Sequence, residues 1–190
     1  GSNLLTLAYN LVNTTASVGM TAVESNDGVT LNGSVQAVAV ADKADFVLLS
    51  FSLSNETRWA LVDTKAKGVS LIAGQMTQGE EVADITLDNV VIASAAVLAV
   101  EADDWIVPRV FASLAALQLG VSEAQITKTV EYVRERKQFG RAIGSFQAVQ
   151  MTMADTKIAL EALRSNLWQL CYRLDNDLPC EHEAYATAWH

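Results

Sequence analysis

Four cations, Arg134, Arg136, Lys137 and Arg141, fall within the stretch Tyr132 to Gln150, YVRERKQFGRAIGSFQAVQ. Phe139, Gly140 and Gly144 lie among and after them, followed by Phe146 and Gln147. A guanidinium offers planar, bidentate recognition of a pyrophosphate. A glutamine supplies donor and acceptor together, and an aromatic ring packs well against a heteroaromatic one. The set suits an anionic dinucleotide. A second reading stands beside it. Cations in a last helical turn are stabilised by the helix dipole by about 0.3 to 1 kcal/mol each. Glu131 can pair with Arg134 on the helix surface, and charge runs usually are solvated faces. That second reading leaves Phe139 and the Phe146-Gln147 pair without a reason.

The surrounding chain makes this local positive charge notable. Its 190 residues carry a formal net charge of -9 and a pI near 4.6, which argues against a general nucleic-acid binder. It is 51% hydrophobic and 18% charged, enough to bury a core and unlike a disordered chain. Cys171 and Cys180 resemble neither a disulfide framework nor a zinc site and read as reduced packing residues; no metal site is legible. No apolar run reaches the ~18 residues of a membrane span, and no signal peptide is visible. Gly1-Ser2 reads as an expression scar, and the expected location is cytoplasmic. The sequons at Asn13, Asn32 and Asn55 follow from a composition rich in Thr, Ser and Asn.

Two elements of different period must position the site. Residues 3–101 read as a β domain. MTAVES, then Asn26-Asp27-Gly28 and VTLNG, predict a hairpin in which Asp27-Gly28 supplies the positive-φ positions. SVQAVAVA, DFVLLSFSL, RWALVD, GVSLIAG and DITLDNVVI follow at short, even spacing, as in an antiparallel sandwich or barrel. DFVLLSFSL, apolar on both faces early on, is the expected central strand.

Residues 102–190 read as part of an antiparallel helical bundle, so the fold class is α+β. Glu101, Asp103 and Asp104 place negative charge at a helix start, and Pro108 suits a first turn. Val110, Leu114, Leu117, Val121, Ala124, Val130 and Val133 recur at helical steps to about Lys137. Close approach of a neighbouring helix would account for Gly120. Gly140 and Gly144 bracket a turn, and Ser145 can cap a second helix. Leu160, Leu163, Leu167, Leu170 and Leu174 form its apolar stripe, which an incomplete bundle would leave partly uncovered. That helix ends around Asp175 to Pro179, and a third begins at Cys180 or Glu181.

The stretch YVRERKQFGRAIGSFQAVQ resembles the segment joining two long helices in the C-terminal domain of acyl-CoA dehydrogenases. The resemblance continues through FASLAALQLGVSEAQITKTVEY and MTMADTKIALEALRSNLWQL. It extends into the β half through LNG, KADFVLLSF, RWALVD, GVSLIAG and DITLDNVVI, which match that family's middle domain. It implies that Arg136 meets the pyrophosphate of FAD held by a neighbouring subunit. Gln138 and Phe139 would line the same site, and Phe146 and Gln147 would extend the contact. It also implies α,β-dehydrogenation of an acyl-CoA thioester within a homo- or hetero-oligomer. An electron-transfer flavoprotein or similar acceptor would take the electrons.

Three departures qualify the resemblance. The family's N-terminal helical domain is absent, and its usual catalytic Glu would lie beyond His190. Members that place the Glu early would have it at Val110, with an Arg at Phe111, so no base is identifiable and the isolated chain is expected to be inactive. The family's Thr-Glu-Pro…Gly-Ser-Asp loop is missing from Leu5 to Gly19. Its flavin-covering Trp-x-Thr matches Ala37-Val38-Ala39, and two alanines can neither stack on an isoalloxazine nor donate a side-chain hydrogen bond to it. The expected function is a flavoprotein subunit that serves a neighbour's FAD. Family members built of unlike subunits act in bacterial steroid side-chain breakdown, which would suit a bulky acyl-CoA. The alternative is a non-catalytic assembly subunit with a degenerate flavin site, and a flavin oxidase on the same fold is a third option.

Overall fold

Side chains alternate between the two faces of Phe46–Leu53, and Val47, Leu49 and Phe51 are the buried set, so this strand organises the first unit. The computed structural model describes residues 3–8, 20–25, 28–54 and 56–189. The chain divides into two compact units, Gly1–Asp103 and Asp104–His190. The first contains β1 Leu5–Ala8, β2 Thr21–Ser25, β3 Gly28–Ala39, β4 Phe46–Leu53, β5 Glu56–Asp63, β6 Val69–Gln75 and β7 Glu81–Ala93. They form one curled sheet in the order β1-β4-β2-β3-β7-β6, with β5 on the other edge of β4. Leu31, Leu49, Ala60, Ile85, Leu87 and Val90 meet in its core.

The α+β class is as expected, with one difference in the sheet. β1 runs parallel to β4, and Thr21 of β2 pairs in parallel with Ser52. These pairings join segments far apart in sequence, so no turn signature announces them. β4 is the central strand expected. VTLNG and SVQAVAVA merge into the single strand β3, whose register against β7 shifts at Leu31/Gly33 and again at Val35/Val38. The β2–β3 hairpin closes Ser25 onto Gly28; Asn26 and Asp27 lie outside the described residues, as does nearly all of Leu5 to Gly19 beyond β1. Gly28 has φ +144, and a Cβ there would stand 2.0 Å from the Ile92 carbonyl oxygen. Only glycine fits both conditions.

The second unit is helical. α1 spans Ala102–Glu135, α2 Gln147–Asp175 and α3 Glu181–Trp189. Glu123 pairs with Arg164 in midcourse, and Gly144 abuts Val133 near the turn, so α1 and α2 run antiparallel. Ala115 and Leu119 of α1 pack on Leu160, Leu163 and Leu167 of α2. Phe111 meets Tyr185 of α3 edge to face, with ring centroids 5.8 Å apart. Arg173 ties the next turn together by pairing with Glu183 at 2.8 Å and donating to the Pro179 carbonyl.

Several expectations about the helices are corrected. The buried face of α1 is Phe111, Ala115 and Leu119, whereas Leu114, Leu117 and Val121 are exposed. α1 is apolar on both sides, and periodicity alone does not say which side faces its own chain. Pro108 lies six residues beyond Ala102, past the first turn, where its missing N–H removes one internal helix bond. Among the described residues nothing lies within 4 Å of a Cβ at Gly120, so no neighbouring helix of this chain explains it. The Leu160, Leu163, Leu167 and Leu170 seam is buried rather than uncovered. The exposed apolar residues of α2 are Met151, Ile158, Trp168 and Tyr172 on the opposite face.

By length and composition α1 is apolar enough to cross a membrane, with a mean hydropathy of 1.3 over its most apolar window. No span was expected. Its packing on α2 and α3 gives a bundle-core reason for Phe111, Ala115 and Leu119 but not for the exposed Leu114, Leu117 and Val121.

Candidate functional site

α1 ends at Glu135 because the next residues turn into a hairpin rather than a loose loop. β8 Lys137–Gln138 pairs with β9 Arg141–Ala142, Gln138 opposite Arg141, and Ile143 N–H donates to the Arg136 carbonyl at 2.8 Å. Phe139 (φ +52) and Gly140 (φ +78) form its two-residue turn, and both positive angles are those of type I′. Glycine adopts this freely. A bulky phenylalanine does so at a cost of roughly 1 to 3 kcal/mol, the kind of strain that clusters at ligand-holding sites. Phe139 is also 91% exposed, so no burial in its own chain offsets the strain.

After the hairpin, a 3-10 turn at Ile143–Ser145 lies close against the end of α1, where a Cβ on Gly144 would stand 2.9 Å from the Val133 carbonyl oxygen. Ser145 does not cap α2. Its hydroxyl donates to the Ala142 carbonyl at 2.7 Å, and Phe146 occupies the N-cap with no side-chain bond. The Gln150 side chain instead donates to the Gly144 carbonyl at 3.0 Å. Phe146, half-buried, meets Phe139 edge to face at 6.2 Å between ring centroids. The Arg141 guanidinium lies 4.0 Å over the Phe146 ring.

The fold thus gathers Arg136, Gln138, Phe139, Phe146 and Gln147 on one turn. It puts Phe139 and Phe146 in contact and leaves Arg136, Gln138 and Gln147 exposed. The pairing of Glu131 with Arg134 does not form. Among the described residues no carboxylate lies within 4 Å of Arg134, Arg136, Lys137 or Arg141, nor of Lys128 or Arg109, while Lys157 pairs with Glu161, Arg164 with Glu123 and Glu161, and Arg173 with Glu183. A pyrophosphate fits this arrangement, since it would meet cations that no acid neutralises. Sequence reasoning missed Arg141 as a partner of Phe146, because Phe139-Gly140 does not carry the Asn-Gly or Asp-Gly signal of such a hairpin. Type I′ closure puts Arg141 directly after the turn, opposite Gln138.

The β3 segment gives the opposite result. Ala37 sits in the second β3 irregularity with φ +53 and donates its N–H to the Asp84 carboxylate at 2.9 Å. Val38 is buried, and the Ala39 carbonyl accepts the Thr6 hydroxyl at 2.6 Å. Nothing there stacks on or donates a side-chain hydrogen bond to an isoalloxazine, so this segment does not fit a flavin. At the start of α1, Asp103 is more than a helix-start charge, because it accepts the indole N–H of the fully buried Trp59 at 2.8 Å. Val110 and buried Phe111 bring no carboxylate to the position where some family members carry a base.

Comparison with known proteins closes the question of kinship. Residues 112–189 match the family model described as acyl-CoA dehydrogenase, C-terminal domain. Acyl-CoA dehydrogenase FadE27 of Mycobacterium tuberculosis is 32% identical over 157 residues, covering 82% of this chain and 42% of that protein. The chain belongs to the acyl-CoA dehydrogenase family. A 3-(aryl)acrylate reductase of Clostridium sporogenes is 28% identical over 180 residues, covering 88% of the chain and 48% of the relative. Among solved structures, the Tcur3481-Tcur3483 steroid ACAD superposes with a TM-score of 0.85 at 34% identity, covering 100% of this chain and 52% of that one. The ChsE4-ChsE5 complex from Mycobacterium tuberculosis gives 0.84 at 29% identity, covering 98% and 51%. This acyl-CoA dehydrogenase-family chain therefore spans about half the length of the relatives it matches.

Proposed function

We propose that the chain is part of one of two unlike subunits of an FAD-dependent acyl-CoA dehydrogenase, and that its Phe139 turn completes the FAD site of the neighbouring subunit. One observation carries the reading: an exposed Phe139 at positive φ stands among cations that no carboxylate of the described residues neutralises. Bound FAD would supply the acceptor for the hydride that leaves the β-carbon of an acyl-CoA thioester. In this arrangement the Arg136 guanidinium would hold the pyrophosphate, Gln138 and Gln147 would offer hydrogen bonds around it, and Phe139 and Phe146 would cover an apolar edge. The base that removes the α-proton comes from outside these residues, since Val110 and Phe111 have no carboxylate.

The similarity to the steroid ACAD and to a two-protein complex supports a hetero-oligomer acting on a bulky acyl-CoA. An electron-transfer flavoprotein or similar acceptor in the cytoplasm would then reoxidise it. The test is to purify the full-length protein alone and with the product of its neighbouring gene and to record flavin absorbance. A yellow complex that forms only with the partner and loses flavin in the Arg136→Ala variant supports the reading. Flavin retention unchanged by Arg136→Ala overturns it.

The alanines and the Asp84 bond of β3 favour a second reading, a non-catalytic assembly subunit. A colourless complex with the same partner would select it. On either reading the 190-residue chain alone does not oxidise acyl-CoA, and steady turnover with an artificial acceptor after flavin loading would contradict both.

A further inference from the structure

The four cations of the turn are not equivalent. Arg134, Arg136 and Lys137 have neither a carboxylate nor a ring contact among the described residues, whereas the Arg141 guanidinium carbon lies over the Phe146 ring, 4.0 Å from its centroid. Phe146 in turn meets Phe139, which has no other ring contact among the described residues. One face contact and one edge contact thus link the hairpin to the first residue before α2. A guanidinium stacked on a ring is held by the ring quadrupole and by dispersion together, and a lysine ammonium reproduces only the first.

We propose that Arg141 is a positioning residue: it clamps the Phe146 ring, and through that ring fixes Phe139, while Arg136 alone among the two arginines of the hairpin is left to meet an anion. The inference rests on the proposed FAD role for its effect on flavin, but the clamp itself is a property of this chain. It changes what the charge cluster means. A residue counted with the anion binders by composition does its work through an aromatic ring. Three expectations separate the roles. Losing Arg141 loosens the hairpin even without flavin. Its effect passes through Phe146. And it is insensitive to salt, because no charge on Arg141 is being screened from a phosphate.

The experiment uses the full-length protein in complex with its partner and the variants Arg136→Ala, Arg141→Ala, Arg141→Lys, Phe146→Leu and the double Arg141→Ala/Phe146→Leu. Amide hydrogen exchange across 137–146 is measured on the flavin-free complex, and FAD dissociation at low and high salt on the loaded one. Arg141→Ala is expected to speed exchange at the Ile143 amide and to weaken FAD retention about two- to five-fold, equally at both salt concentrations. Arg141→Lys should recover less than half of this, and the double variant should be no worse than Phe146→Leu. Unchanged exchange in Arg141→Ala overturns the clamp. So do additive losses in the double variant, or a flavin effect that salt abolishes, since either makes Arg141 an anion contact. If Arg136→Ala leaves FAD retention intact while Arg141→Ala still speeds exchange, the FAD role fails and the clamp stands.

Discussion

The Ala37–Ala39 segment of β3 and the Phe139–Gln147 turn are the two places where the family resemblance would bring this chain to a flavin, and they are built on opposite terms. At β3 the polar groups are spent internally: Ala37 N–H on Asp84, the Ala39 carbonyl on Thr6. At the turn the cations have no carboxylate partner among the described residues, and an exposed phenylalanine is held at positive φ. Both segments hold a non-glycine residue at positive φ, Ala37 and Phe139, so what separates them is that the β3 polar groups are satisfied internally and the cations of the turn are not. Substitutions in the β unit should therefore change stability and leave flavin alone, and substitutions at the turn should do the reverse.

The largest effect should come from Gly28→Ala. The new Cβ would meet the Ile92 carbonyl at 2.0 Å, and both atoms belong to paired backbone. A loss of about 3 kcal/mol or more is expected, seen as early melting of the β unit by circular dichroism. An unshifted melt would break the comparison at its structural end. Next comes Arg136→Ala in the assembled complex. Loss of a charge-assisted bond worth roughly 1.5 to 3 kcal/mol should weaken FAD retention about ten- to a hundred-fold with no change in melting temperature. A lowered melting temperature would show that Arg136 is structural after all.

Phe139→Gly sharpens the contrast further, because its two readouts should move apart. Relief of the positive-φ strain should stabilise the helical unit by about 1 kcal/mol in chemical denaturation, while flavin retention falls. If both fall together, the strain is not real. The smallest effect concerns pH. The Leu4 N–H and then Lys65 hold the Asp45 carboxyl below the usual aspartate range. A depressed acid contributes stability above its unfolded pKa and loses it as pH falls through the folded one. Exchange protection of the β1 amides should thus be flat near neutrality and decline only in strong acid, and Asp45→Asn should remove that dependence.

Much of this arrangement was legible in the sequence because it rests on local patterns. The strands alternate, and Leu160, Leu163, Leu167 and Leu170 mark one face of one helix. The β1–β4 pairing was not legible, since its partners lie some forty residues apart, Leu5 opposite Phe46. The buried face of α1 was misread because Leu114, Leu117 and Val121 repeat at the same period as Phe111, Ala115 and Leu119. Which stripe is covered depends on neighbours that periodicity does not contain. At the site, residue types pointed to residues that the fold gathers on one turn, but not to its wiring. Phe-Gly lacks the Asn-Gly or Asp-Gly signature of a type I′ hairpin, so the ladder that places Arg141 beside Phe146 left no local trace.

The placing of the tryptophans has a practical consequence. Trp59 is wholly buried in the β unit, while Trp105, Trp168 and Trp189 of the helical unit are 61%, 70% and 89% exposed. Indole emission shifts to shorter wavelength away from water, so the blue component of the intrinsic fluorescence comes from Trp59 and the red component from the other three. One untagged sample then reports both units at once. A red shift of the blue component marks opening of the sheet, and a blue shift of the red component marks a companion helix settling over Trp168. Phenylalanine at Trp168 would tell which of the three exposed indoles the companion covers.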